Sequence, residues 1–76
     1  MIANIPFAHS GTKGPLAAAI QAALCDAGYS LDIDGEYGPK TENALREFQR
    51  KNNLEIDGVA GPATYAKLLG GYTSNE

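Results

Sequence analysis

The string Leu-Asp-Ile-Asp-Gly-Glu-Tyr-Gly-Pro-Lys-Thr, beginning at Leu31, returns 23 residues later at Leu54 as Leu-Glu-Ile-Asp-Gly-Val-Ala-Gly-Pro-Ala-Thr. Over Leu31–Leu45 and Leu54–Leu68, eight of fifteen positions are identical, and Asp32/Glu55 keeps the charge. Self-similarity at a fixed offset of this length marks one supersecondary unit used twice. Each copy reads as an extended stretch, a tight Asp-Gly loop and the start of a helix. Asp accepts hydrogen bonds from nearby backbone N–H groups and Gly supplies a positive φ, so geometry alone accounts for the loop.

Gly14-Pro15, Gly38-Pro39 and Gly61-Pro62 each precede a helix-compatible run. Proline is favoured at the first helical position, where its missing N–H costs nothing. Three helices are therefore predicted, at about Pro15–Ala27, Pro39–Asn52 and Pro62–Leu69. The first places Leu16, Ile20, Ala23, Leu24 and Ala27 on one face and ends at Gly28, a left-handed cap. The second points Thr41, Ala44, Leu45 and Phe48 inward, with Glu42/Arg46 and Glu47/Lys51 as i,i+4 pairs outside. Thr41 and Thr64 fall in first helical turns, where a hydroxyl can bond back to the loop. Leu31/Ile33 and Leu54/Ile56 alternate with acidic residues, the period of short extended segments pinned to a core. Residues 1–12 read as a flexible N-terminal segment, 13–70 as the folded domain and 71–76 as a tail or linker. The fold class is all-α: a compact three-helix domain with two repeated Asp-Gly-x-x-Gly-Pro-x-Thr loop-helix units and short extended segments.

Seventy-six residues make one small core. A chain this short buries only about 60% of the surface its unfolded form exposes, which leaves little material for a deep catalytic cavity. The net charge is −3, and no basic run exceeds Arg50-Lys51, so the clustered cations of a nucleic-acid footprint are missing. No apolar stretch approaches the ~20 residues of a membrane span. The first residues have no positive region or long hydrophobic run, so no signal peptide is expected there. One cysteine, Cys25, excludes an internal disulfide and sits between apolar residues of the first helix, where it reads as a small hydrophobe.

The residues do not assemble a catalytic centre. His9, the only histidine, is far in sequence from Cys25, and one His with one Cys does not make a zinc site. Asp32-Ile-Asp34-Gly-Glu36 resembles the opening of a calcium loop, but the glycine falls too early and Asn43 stands where a bidentate Glu is required. Asp32, Asp34 and Glu36 are neighbours in a surface loop with no apolar pocket to raise a pKa, unlike a glycosidase pair. No metal or cofactor is expected. The tyrosines remain, flat apolar faces with polar tips that suit sugars or peptides in a shallow groove. Tyr29 and Tyr65 fit a core-closing role. Tyr37 has only Ala60 at the equivalent place in the second repeat, and that asymmetry makes the first loop the better binding candidate.

Together these residues resemble the small three-helix peptidoglycan-binding domains of type one. The resemblance rests on Ile20-Gln21 and Gly28-Tyr29; on the first loop from Asp34-Gly35 through Tyr37-Gly38 to Thr41; on Ala44-Leu45 and Phe48-Gln49; and on the second loop from Asp57-Gly58 through Gly61 to Thr64. It covers about Pro15–Leu69, with Ile20 for the usual Leu and Asn52-Asn53 where a glycine is common. It implies a non-catalytic module that holds a cell-wall enzyme against murein. Such modules are fused to amidases, lysozyme-like hydrolases, transpeptidases or carboxypeptidases, and a related fold serves as a metalloprotease pro-domain. The implied partners are peptidoglycan, as glycan strand or stem peptide, and a fused or partner hydrolase. Neither nucleic acid nor membrane is expected as a partner, and a monomer is expected. The implied place of action is the cell wall or periplasm. A structural or protein-interaction domain of the same fold, without murein affinity, is the alternative. The expected ligand contacts are Tyr29 and Tyr37 stacking on sugar or peptide, Asp34 and Lys40 pairing with charged stem-peptide groups, and Gln49 bonding amides.

Overall fold

The computed structural model describes residues 6–69. Three helices form, α1 (Pro15–Asp26), α2 (Pro39–Lys51) and α3 (Pro62–Leu68), each with proline in its first turn and each within one residue of its predicted bounds. None has a side-chain N-cap; the residues before them are Gly14, Gly38 and Gly61. The Gly70-Gly71 stop and the tail at 71–76 lie outside the described residues.

Helix α1 ends as predicted. Gly28 takes φ +106°. Its N–H donates to the Cys25 carbonyl at 3.0 Å and the Tyr29 N–H donates to that of Leu24 at 3.0 Å. That is the Schellman arrangement, in which a left-handed residue lets the chain cap its own last carbonyls. Helix α2 repeats it with asparagine. Asn53 is the only non-glycine residue at positive φ among those described, at +59°, and the Asn53 and Leu54 N–H groups bond back to Arg50 and Gln49. Asparagine tolerates this region better than other side chains, which explains how Asn52-Asn53 replaces the usual glycine.

The two repeats fold alike around two buried glutamines. Gln21 on α1 donates from Nε2 to Asp34 Oδ1 (2.9 Å), the Glu36 carbonyl (2.9 Å) and Thr41 Oγ1 (3.0 Å), while its Oε1 accepts from the Gly35 N–H (2.9 Å). Gln49 on α2 makes the same four bonds one unit later, to Asp57 Oδ1 (3.0 Å), the Val59 carbonyl (3.0 Å) and Thr64 Oγ1 (3.1 Å), and from the Gly58 N–H (3.0 Å). Each glutamine thus stitches its helix to the following loop and to the start of the next helix. The threonine hydroxyls accept from the preceding helix's glutamine rather than bonding to the loop themselves. No buried side-chain polar atom among the described residues lacks a partner, as burial requires when each orphan would cost about 1–3 kcal/mol.

The core is formed by Ala8, Ala17, Ile20, Ala23, Leu24, Tyr37, Leu45, Phe48, Ala60, Tyr65 and Leu68, with Leu16, Tyr29, Leu31, Leu54 and Leu69 packed at its edge. Several expectations need correction. Ile33 and Ile56 are 55% and 48% exposed. The chain turns immediately after each of them, where Asp34 and Asp57 accept from the N–H two residues on, so only Leu31 and Leu54 reach the helices. The extended pairing occurs instead at Lys13–Glu36 and Ala8–Ala60, as isolated antiparallel bridges.

That pairing also corrects the reading of residues 1–12 as loose, as far as 6–12 are concerned. Ala8 is fully buried and exchanges both backbone hydrogen bonds with Ala60, at 3.1 and 2.7 Å. The Gly11 N–H donates to the Tyr37 carbonyl and the Tyr37 N–H to that of Thr12, both at 2.9 Å. The Tyr65 hydroxyl donates to the Pro6 carbonyl at 2.8 Å. On the surface, Glu42 pairs with Arg46 as predicted. Glu47 pairs with Arg50 rather than Lys51, whose ammonium lies 5.7 Å from the centre of the Tyr29 ring.

Candidate functional site

The turn after Leu31, the Gly38-Pro39 entry into α2 and the Gln21 carboxamide beneath them enclose an open groove of about 410 Å³. Its walls are Leu31, Asp32, Asp34, Glu36, Gly38, Pro39, Lys40 and Thr41, with Gln21 at the floor. A smaller recess of about 260 Å³, lined by Ser30, Leu31, Asp32 and Lys40, adjoins it through three shared residues. Three carboxylates and one ammonium therefore face a single strip of apolar wall. Such a surface suits a flexible polar ligand carrying both charges; it offers no nucleophile beside a base and no closed cavity.

Sequence reasoning placed five ligand contacts, and the structure brings two of them together: Asp34 and Lys40 both line this groove. Tyr29 is half-buried against the edge of the core beside Lys51 and does not line it. Tyr37 is 2% exposed, and its hydroxyl donates to the Gly58 carbonyl at 2.8 Å. Its stacking role presumed an exposed ring, and that premise fails because the phenol ties the first loop to the second. Gln49 is likewise buried, its carboxamide fully engaged by the second loop. Asp32, Glu36 and Leu31 were missed as groove residues. The signal was present in Gln21, which sits before the first loop as Gln49 sits before the second.

Electrostatics divides the acids. Gln21, then the Glu36 N–H, hold the Asp34 carboxyl below its ordinary value of 3.8. The Val59 N–H, aided by Gln49, does the same for Asp57. In both, one carboxylate oxygen accepts the loop bonds, so these two acids shape the loop as well as charge it. Asp32 and Glu36 accept no hydrogen bond from a side chain among the described residues and present their charge to solvent. No group of three or more His, Cys, Asp or Glu residues able to hold a metal ion occurs among the described residues.

Fold and site together define a small three-helix binding module with a mixed-charge surface groove. The chain belongs to the family described as "Putative peptidoglycan binding domain", whose model matches residues 13–68. It is 44% identical over 64 residues to a probable N-acetylmuramoyl-L-alanine amidase of Bacillus licheniformis, covering 75% of this chain and 18% of the amidase. The crystal structure of the SleB N-terminal domain superposes with a TM-score of 0.83 at 34% identity, covering 87% of this chain and 92% of that one. A Burkholderia AP3 phage endolysin superposes at 0.84 with 35% identity, covering 93% of this chain and 27% of the endolysin. The chain spans less than half the length of the curated relatives it matches.

Proposed function

We propose that this domain binds peptidoglycan in the groove over Gln21, reading the stem peptide with Asp32, Asp34, Glu36 and Lys40, and so holds a cell-wall hydrolase on its polymer. The observation that carries the reading is an open, mixed-charge groove in a chain of this family. A stem peptide alternates carboxylate and amine with short apolar side chains, which matches three acids, one lysine and the Leu31–Pro39 wall. The domain supplies adhesion and the enzyme supplies cleavage, which fits the amidases and the endolysin among its relatives. The site of action is then the cell wall. Affinity per module is weak because the groove is open, and attachment to a catalytic unit raises the local concentration of that unit on an insoluble substrate.

Co-sedimentation with insoluble sacculi tests this. Asp32→Ala with Lys40→Ala removes two exposed groove charges and leaves the glutamine network intact, so the variant stays helical by circular dichroism. Its pelleted fraction should fall about fivefold or more relative to the unaltered chain, the effect of losing about 1 kcal/mol of charge-assisted contacts. Undiminished pelleting by the folded variant removes the groove from the account. If the unaltered chain fails to pellet, murein binding itself is refuted in favour of a protein partner for the same fold.

A further inference from the structure

The repeat that builds the first groove builds it again. A second groove, of about 150 Å³, is lined by Gln49, Leu54, Glu55, Asp57, Val59, Gly61, Pro62, Ala63 and Thr64. Eight of these positions, Leu54 through Thr64, are the repeat counterparts of residues lining the first groove 23 positions earlier, and Gln49 makes the bonds here that Gln21 makes there. Three differences change its chemistry. Ala63 replaces Lys40, so the groove has no cation. Val59 replaces Glu36, which leaves the acids at Glu55 and Asp57. Phe7, which the first groove has no equivalent of, forms an added wall: its ring lies against Gly61, where a Cβ would stand 3.1 Å from Phe7 Cε2, yet it is 61% exposed. Arg46, whose charge reaches Asp57, is held by Glu42 and the Ile56 carbonyl and does not line the groove.

We propose that this second groove is a separate subsite for a primary alkylammonium group, the side-chain amine of the diamino residue in the same stem peptide. The assignment of source rests on the murein reading above. An ammonium finds two exposed carboxylates there, an uncovered aromatic face, and no competing positive side chain on the lining. Aromatic faces attract such ions within about 6 Å of the ring centre, and Leu54, Val59 and Pro62 receive the alkyl chain. The small volume admits a side chain rather than a peptide backbone, so the two grooves divide the ligand: mixed charge in the first, one amine in the second.

The test uses the full chain and backbone amide chemical shifts. Nα-acetyl-L-lysine methylamide is the probe, and its Nε-acetylated form is the neutral control. The ammonium probe should shift the Val59, Gly61 and Ala63 amides in a saturable manner, and the neutral form should not. Phe7→Ala and Glu55→Gln, both at exposed positions outside the core, should each weaken binding about fivefold, while Asp32→Ala with Lys40→Ala leaves these shifts in place. Equal response to both probes, or shifts confined to Gly35, Gly38 and Lys40 around the first groove, would overturn the subsite. Failure of sacculi to retain the chain while the amine still titrates would refute the murein reading and leave the subsite standing.

Discussion

Gln21 and Gln49 show what one residue type can do at the right depth. A carboxamide offers two N–H groups and a carbonyl, and each here meets three acceptors and one backbone donor spread over one loop and the start of the helix after it. Truncation leaves those groups buried without partners, so Gln21→Ala and Gln49→Ala should each cost about 1–3 kcal/mol in urea unfolding near neutral pH. The same bonds set the acid response. Asp34 and Asp57 have folded-state pKa values below 3.8, so the stability they carry is complete above about pH 4 and is lost as pH falls through the folded values. Because Gln21 is the chief cause for Asp34 and the Val59 N–H is the chief cause for Asp57, Gln21→Ala should flatten the loss of stability below about pH 4 more than Gln49→Ala does. Equal flattening would contradict this division. The sequence displayed both glutamines and both Asp-Gly turns, but not that each glutamine reaches forward to its own turn, since that contact depends on tertiary docking. Tyr37 was misread for the same reason. Its counterpart Ala60 is also fully buried, but beneath the close approach of Ala8, so the two repeats demand burial at this position with different volumes.

Elements in this fold begin by one rule and end by another, and both were written locally. Gly-Pro pairs start all three helices, and the Gly28 and Asn53 positions terminate α1 and α2 through the same pair of backward hydrogen bonds. Helix bounds were therefore legible to within a residue. The segment 6–12 was not, because it has no periodicity and few large side chains. It is held by backbone groups of Ala8, Gly11 and Thr12 and by the Tyr65 hydroxyl on Pro6, and backbone pairing leaves no mark in the side-chain pattern. It acts as a strap across both loops. Removing residues 1–12 deletes the five hydrogen bonds that the described residues 6–12 make to the loops and α3 and uncovers Ala60, a loss of about 2 kcal/mol or more. The melting temperature should drop by roughly 8–16 °C for a domain of this size. An unchanged melting temperature would show that the strap contributes nothing.

At the scale of the molecule, duplication yields two grooves from one plan, and substitutions at two lining positions with the addition of Phe7 separate their chemistry. The first keeps acids and a lysine on an open strip; the second exchanges Lys40 for Ala63 and Glu36 for Val59 and gains Phe7. The candidate site was half legible. Asp34 and Lys40 stood out as polar residues of the first loop, whereas Leu31, Asp32 and Glu36 join them only once the Asp34 turn folds the chain back over Gln21. The proposal built on family membership and the groove is that this face meets the stem peptide. The most direct measurement is titration of the isotope-labelled chain with a soluble disaccharide–tetrapeptide muropeptide. The account predicts saturable amide shifts at Asp32, Gly35, Gly38 and Lys40, lost in the Asp32→Ala, Lys40→Ala variant. Saturable shifts that leave these four amides unmoved, or an unchanged response in the variant, would contradict it.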